Sequence, residues 1–208
     1  AGIARAQPRT RHAEAIARMA ITLIEPGSTV FVNAGSTTLA FAHELVCTRT
    51  DLRVITNSIN IAQITGPCEH LETLLLGGTP HAEVPATYGE LTLSEIERFR
   101  ADYAVISPVG FSALRGATDY ALHEAEVARK MIRSARTCMI LCYAEKLEAE
   151  SRINICRPEE IDILITDERA GPGLTICRGE VFHAGASAAA SGTARSGGGT
   201  GAPKRQQA

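Results

Sequence analysis

The chain has 208 residues, with 21 Lys and Arg against 23 Asp and Glu and a net charge near −2, which gives it no field for holding nucleic acid or an anionic membrane. No apolar run approaches the roughly 20 residues of a transmembrane helix, and the first residues lack the charged and apolar regions of a signal peptide, so a cytoplasmic protein without membrane contact is expected. Six cysteines, at 47, 68, 138, 142, 156 and 177, form no C-x-x-C pair and have no His cluster beside them, which predicts neither a metal centre nor a disulfide framework.

Residues 1–10 show no periodicity and read as a tether. From Arg11 the apolar positions Ile16, Met19, Ala20, Leu23 and Ile24 follow the spacing of an amphipathic helix, which Pro26-Gly27 ends. A β-branched and aromatic run at 29–33 predicts a strand. It breaks at Ala34-Gly35-Ser36 and hands over to a helix with Leu39, Ala42 and Leu45 on one face. The pattern repeats as a strand at 52–56, a turn at Asn57-Ser58 with capping chemistry, and a short helix at 59–65. A third strand at 74–76 stops at Gly77-Gly78; residues 79–86, with two prolines, read as a loop and 88–99 as a helix. A fourth strand at 103–107 closes in Pro108-Val109-Gly110-Phe111. Residues 112–120 read as a polar connection, 121–135 as a helix, and 137–142 and 161–166 as the fifth and sixth strands. From 185 to 208 the chain is rich in Ala, Ser and Gly with a basic end, the composition of a disordered tail.

Strands alternating with helices imply right-handed crossovers, hence an α/β fold with a mostly parallel sheet covered by helices on both faces. Ligands in such sheets bind beyond the carboxyl ends of the strands. The segments 34–38, 56–58, 77–78, 107–111 and 143–146 all follow expected strands, so one mouth can collect them. Gly35, Ser36, Thr37 and Thr38 stand where a strand meets a helix N-terminus, with unpaired N–H groups, a positive dipole end and three hydroxyls. That is the chemistry of a phosphate cradle; a Ser/Thr N-cap after a tight turn uses the same residues. Lys146 offers a counter-charge to an anion, or is a solvated surface cation. Glu124 suits ligand hydroxyls, or complements a helix dipole. Thr56 and Asn57 supply further donors, or cap the next helix. Gly77 and Gly78 mark a sharp turn or a backbone that a ligand approaches. His43 and His81 read as structural or solvated, and Glu126 with Lys130 as a surface i,i+4 pair.

Taken in order, the motifs resemble the C-terminal effector-sensing domain of the DeoR family of bacterial transcriptional regulators, including the glycerol-3-phosphate repressor type. The residues that carry the resemblance are Ala34-Gly35-Ser36-Thr37-Thr38, the run from Val54 through Thr56-Asn57-Ser58 to Ala62, Leu76-Gly77-Gly78, and Phe99-Arg100-Ala101-Asp102-Tyr103-Ala104. His123-Glu124-Ala125-Glu126 and the residues through Ile132, then Lys146, then Asp162 to Asp167 complete it. The chain departs from the family pattern at Tyr143, where an acid is usual, at Val109, where a polar or acidic residue often stands, and at Ala128, often a Lys.

The resemblance implies a fold like those of ribose-5-phosphate isomerase and the CoA transferases, spanning 11–184. It also implies a phosphorylated sugar or related metabolite as ligand, no cofactor, a homo-oligomer, and DNA as partner through an N-terminal helix-turn-helix domain. Residues 1–10 would be the remnant of the linker to that domain. The implied site places phosphate on Gly35–Thr38 with Lys146 as counter-charge, and Thr56, Asn57, Gly78, Gly110 and Glu124 around the remainder. A regulator that is not an enzyme is the expectation. The alternative is an aldose–ketose isomerase on the same fold, with Glu124 and Lys146 in acid–base roles; the stretch 107–116 supplies no carboxylate for it.

Overall fold

The computed structural model describes residues 11–171, 173–176 and 178–185. The tether at 1–10, the tail from 186 and Cys177 lie outside the described residues.

The chain opens with α1 (Arg11–Thr22), whose Ile16, Ala17, Ala20 and Ile21 are buried, and passes into β1 (Thr29–Val32). Then follow α2 (Ser36–Thr48), β2 (Leu52–Thr56), α3 (Ile59–Thr65) and β3 (Leu71–Leu75). Two short strands, β4 (Thr79–Pro80) and β5 (Thr87–Tyr88), precede α4 (Glu90–Ile96) and β6 (Ala101–Ile106). A hairpin of β7 (Gly110–Ser112) and β8 (Gly116–Asp119) leads to α5 (Leu122–Arg133) and β9 (Ala135–Leu141). The rest is β10 (Ile153–Cys156), β11 (Ile163–Asp167) and β12 (Glu180–Ala184), with single 3-10 turns at Ala144–Lys146, Pro158–Glu160 and Glu168–Ala170.

Seven strands form one parallel sheet in the order β12-β11-β9-β6-β1-β2-β3. Alternation along β1 divides the core. Val30 and Val32 face α1 and α2, packing with Phe41, Leu45, Met139 and Ile165. Phe31 faces the other way, toward Ala128, Met131 and Ile132 of α5. The expected parallel sheet with helices on both faces is therefore the observed one. Strand order reverses between β1 and β6, because β2 and β3 extend one way and β9, β11 and β12 the other. A crevice opens at such a switch point beyond the strands' carboxyl ends.

Several elements differ from expectation. Residues 112–120, expected as a polar connection, supply β8 and the last residue of β7 in an antiparallel sheet β10-β8-β7, which shares the α5 side of the core through Phe111, Ala117 and Ile155. The strands β7 and β8 are buried at every residue, so no alternation betrays them. Tyr88, expected to open a helix, belongs to β5, because the loop before it folds back so that Thr79 pairs with Tyr88. The third strand begins at Leu71, and β12 adds an edge that its short sequence did not announce. The described cysteines are free thiols, with Cys138, Cys142 and Cys156 buried. Among the described residues no helix is long and apolar enough to cross a membrane.

Candidate anion-binding site

Asn33 follows β1 and stitches the switch point together. Its Oδ1 accepts from the Ser107 N–H at 2.9 Å, and its Nδ2 donates to the Ser107 carbonyl at 3.4 Å. The segments that follow β1 and β6 are thus held side by side. Contact between them is tight: a Cβ on Gly35 would lie 2.9 Å from Ser107 Cβ and 3.2 Å from its Oγ. Glycine at 35 is needed for this approach.

Gly35 is also the N-cap of α2, and no side chain caps that helix. The alternative reading of Gly35–Thr38 as a Ser/Thr cap is therefore not what the chain forms. By contrast α3 is capped, with Ser58 Oγ accepting from the Ile61 N–H at 3.3 Å. Of the three cradle hydroxyls, Thr38 donates back to the Asn33 carbonyl at 2.8 Å and holds the turn. Ser36 is exposed at the rim and hydrogen-bonds with Tyr143. Thr37 is fully buried, and its hydroxyl has no hydrogen-bond partner; neither has that of the buried Ser107. Buried hydroxyls without partners are uncommon in folded chains, and these two flank an uncapped helix start with a positive dipole end.

Lys146 enters from the 3-10 turn after β9. Its Nζ donates to the Pro108 carbonyl at 2.8 Å, next to Ser107, and lies 4.8 Å from the centroid of the Tyr143 ring. Burial pushes its ammonium down from the ordinary lysine range. Thr56 and Asn57 act as scaffold. Thr56 Oγ1 donates to the Val32 carbonyl at 2.7 Å; Asn57 accepts from the Ala34 N–H at 3.1 Å and donates to the Thr87 carbonyl at 3.1 Å. At Gly78, with φ +140°, a Cβ would meet Thr92 Oγ1 at 2.1 Å and the Tyr88 carbonyl at 2.6 Å. At Gly110 it would meet the Ala149 carbonyl at 2.3 Å. Packing by the chain itself thus accounts for both glycines.

Glu124 gathers residues that sequence reasoning did not select. Tyr88 donates its hydroxyl to Glu124 at 3.4 Å. Asp119, at the end of β8 and buried, shares a hydrogen bond with Glu124, and its Oδ1 accepts from the Tyr120 and Ala121 N–H groups at 2.6 and 3.3 Å. Burial raises both carboxyls, and for Glu124 the neighbouring Asp119 charge adds to it; Lys146 pulls Asp119 the other way. His123 packs edge-on to Tyr88 at 4.4 Å and stacks on His81 at 4.9 Å, and its Nε2 is buried without a partner. The site therefore has a cationic end at α2 and Lys146, and two neighbouring carboxyls, both raised by burial, beside an aromatic wall. Among the described residues no group of three or more His, Cys, Asp or Glu is arranged to hold a metal ion.

The raised carboxyls give a signed expectation. An acid with a higher folded than unfolded value binds more protons when folded, so stability falls as pH rises from about 4, the unfolded value, through the raised folded values. Asp119→Asn removes Asp119's share of this contribution and the charge that helps raise Glu124, while the burial of Glu124 remains. Relative to the variant, the wild-type should lose stability in denaturant titrations as pH rises above about 4; parallel curves would show that Asp119 carries no linked proton.

The sequence model of the DeoR C terminal sensor domain matches residues 9–168. The chain is 36% identical over 152 residues to the HTH-type transcriptional repressor GlcR of Bacillus subtilis (strain 168), covering 73% of this chain and 58% of that protein. It is 29% identical over 159 residues to the glycerol-3-phosphate regulon repressor of Escherichia coli (strain K12), covering 76% of this chain and 63% of that one. It thus spans about three-fifths of the length of these curated relatives. Among solved structures it is similar to ribose 5-phosphate isomerase A of Methanocaldococcus jannaschii, with a TM-score of 0.46 and 16% identity over 65% of this chain and 53% of that one. The likeness to eIF2B beta of Chaetomium thermophilum has a TM-score of 0.49 and 16% identity over 74% of this chain and 48% of that one.

Proposed function

This chain belongs to the family of DeoR C terminal sensor domains, and from that premise we propose that it binds a phosphorylated sugar or related small phosphomonoester and passes its occupancy to a DNA-reading domain. The observation that carries this reading is the uncapped start of α2, flanked by the partnerless hydroxyls of Thr37 and Ser107. The phosphate sits on Gly35, Ser36, Thr37 and Thr38, with Lys146 turning from the Pro108 carbonyl to meet it. Glu124, with Asp119 and Tyr88, takes hydroxyls at the far end, and Thr56, Asn57, Gly78 and Gly110 hold the wall in shape.

In the whole regulator the partner is operator DNA, bound through a helix-turn-helix domain outside this sequence, and the assembly is a homo-oligomer in the cytoplasm. Effector and operator then change each other's affinity by one factor. A thermal-shift screen against inorganic phosphate, glycerol 3-phosphate and hexose and pentose phosphates tests the reading. At a hundred times its dissociation constant a ligand stabilises by about 2.7 kcal/mol, which raises Tm by roughly 5–11 °C in a domain of this size. A selective shift is the expected result; silence across the panel would overturn the reading.

One observation favours a second reading. The carboxyl pair of Asp119 and Glu124, near Lys146, has the groups that proton transfer beside a carbonyl uses. The first reading expects no turnover of ribose 5-phosphate; turnover that disappears in Glu124→Gln would establish the isomerase instead.

A further inference from the structure

Three segments distant in sequence meet at one carboxylate. Asp167 ends β11 and its side chain is fully buried. Its Oδ2 accepts from the Ala144 N–H at 2.8 Å and Arg169 Nη2 at 3.0 Å, and its Oδ1 from Arg169 Nε at 2.6 Å. Ala144 opens the 3-10 turn that ends in Lys146, and Glu145 in the same turn accepts from Arg169 Nη2 at 2.8 Å. On the other side stands the first turn of α1. His12 Nδ1 lies 3.8 Å from Asp167 Oδ1, beyond hydrogen-bond length, and this buried nitrogen bonds to nothing else. Burial opposes ionisation of Asp167, but Arg169 and the Ala144 amide outweigh it and hold the carboxyl below the usual range.

We propose that Asp167 couples occupancy of the anion site, through the turn that carries Lys146, to the first turn of α1. The inference rests on the phosphate reading above. Lys146 has two alternative acceptors, the Pro108 carbonyl that it now holds and an anion on α2. Its turn is tight, closed by Lys146 N–H to the Tyr143 carbonyl at 2.9 Å and Leu147 N–H to the Ala144 carbonyl at 3.1 Å, and it opens at the Ala144 amide that Asp167 holds. Any part of the exchange that the Lys146 stem does not take up by rotation is passed to that amide. The carboxylate that holds this amide is bonded on both oxygens, so it moves with Arg169 and changes its approach to His12. An element with two arrangements that both ends can bias is the physical requirement for coupling.

Hydrogen exchange of amides 15–18 in α1, with and without saturating glycerol 3-phosphate, tests this, with binding measured in parallel by calorimetry. The wild-type exchange rates should change roughly threefold or more on saturation. Asp167→Asn should keep binding within about threefold, since the cradle and Lys146 remain, yet lose the α1 response. His12→Ala should do the same, and it leaves every bond to the carboxylate in place should the Asn variant fold poorly. Binding without any α1 response in the wild-type, or a response that survives in His12→Ala, overturns the coupling alone. No binding of glycerol 3-phosphate, inorganic phosphate or any hexose or pentose phosphate of the panel to the wild-type overturns the phosphate reading, and the coupling with it.

Discussion

Lys146→Met should weaken binding of a phosphomonoester by about 10- to 150-fold while leaving the fold in place. The lysine contributes a charge-assisted hydrogen bond to a dianion in a partly desolvated site, an interaction of about 1.5–3 kcal/mol, and each 1.4 kcal/mol is about tenfold in affinity. The ammonium is already pushed down by burial, so its charge is most favourable when an anion arrives. Removing it leaves the Pro108 carbonyl without its partner, but both hydrophobic clusters are built from other residues. Calorimetric titration together with thermal unfolding separates the two effects. Wild-type affinity in the Met variant would place the anion elsewhere.

Gly78→Ala should destabilise the whole domain by about 3–5 kcal/mol, the range of the strongest single substitutions. Two costs add. A φ of +140° is a conformation that side-chain-bearing residues rarely adopt. The new methyl would also sit 2.6 Å from a backbone oxygen of Tyr88, which cannot swing aside as a side chain can. The same junction holds Thr92 Oγ1 on the Gly77 carbonyl at 2.6 Å, so displacement there propagates into α4. At roughly 2–4 °C per kcal/mol for a domain of this size, Tm should fall by about 6–20 °C. A fall below 3 °C would mean that the turn relaxes at little cost.

The parallel layer is legible in the sequence because its early strands end on residues that break them. Asn33, Asn57 and Gly77 each close a β-branched or apolar run and open the next turn; the structure uses Asn33 and Asn57 to join adjacent turns, and the Gly77 N–H donates to Glu95 of α4. The positions of Gly35–Thr38 and Lys146, just beyond the ends of β1 and β9, are legible for the same reason, being punctuation between regular elements. What is not legible depends on contacts between distant segments. Ser107 looks like the end of a strand until Gly35 is packed against it. Tyr88 fits a helical spacing as well as it fits β5, and only the fold of the preceding loop decides. Asp119 lies in a stretch that reads as a polar connection. Its signal was local all the same: a carboxylate just ahead of a helix that accepts from the next two amides is an Asx-type turn, which marks a defined corner. His12 and Asp167 carry no sequence sign of their meeting, since they belong to opposite ends of the domain.

The most direct test of the central claim is an amide-resolved NMR titration of the chain with inorganic phosphate. An anion seated on the start of α2 should move the backbone N–H resonances of Ser36, Thr37 and Thr38 saturably, with Lys146 responding at the same midpoint. Saturable shifts confined to other residues, such as the arginine-lined cleft of Arg115, Arg133 and Arg157, would contradict it, as would the absence of any saturable shift.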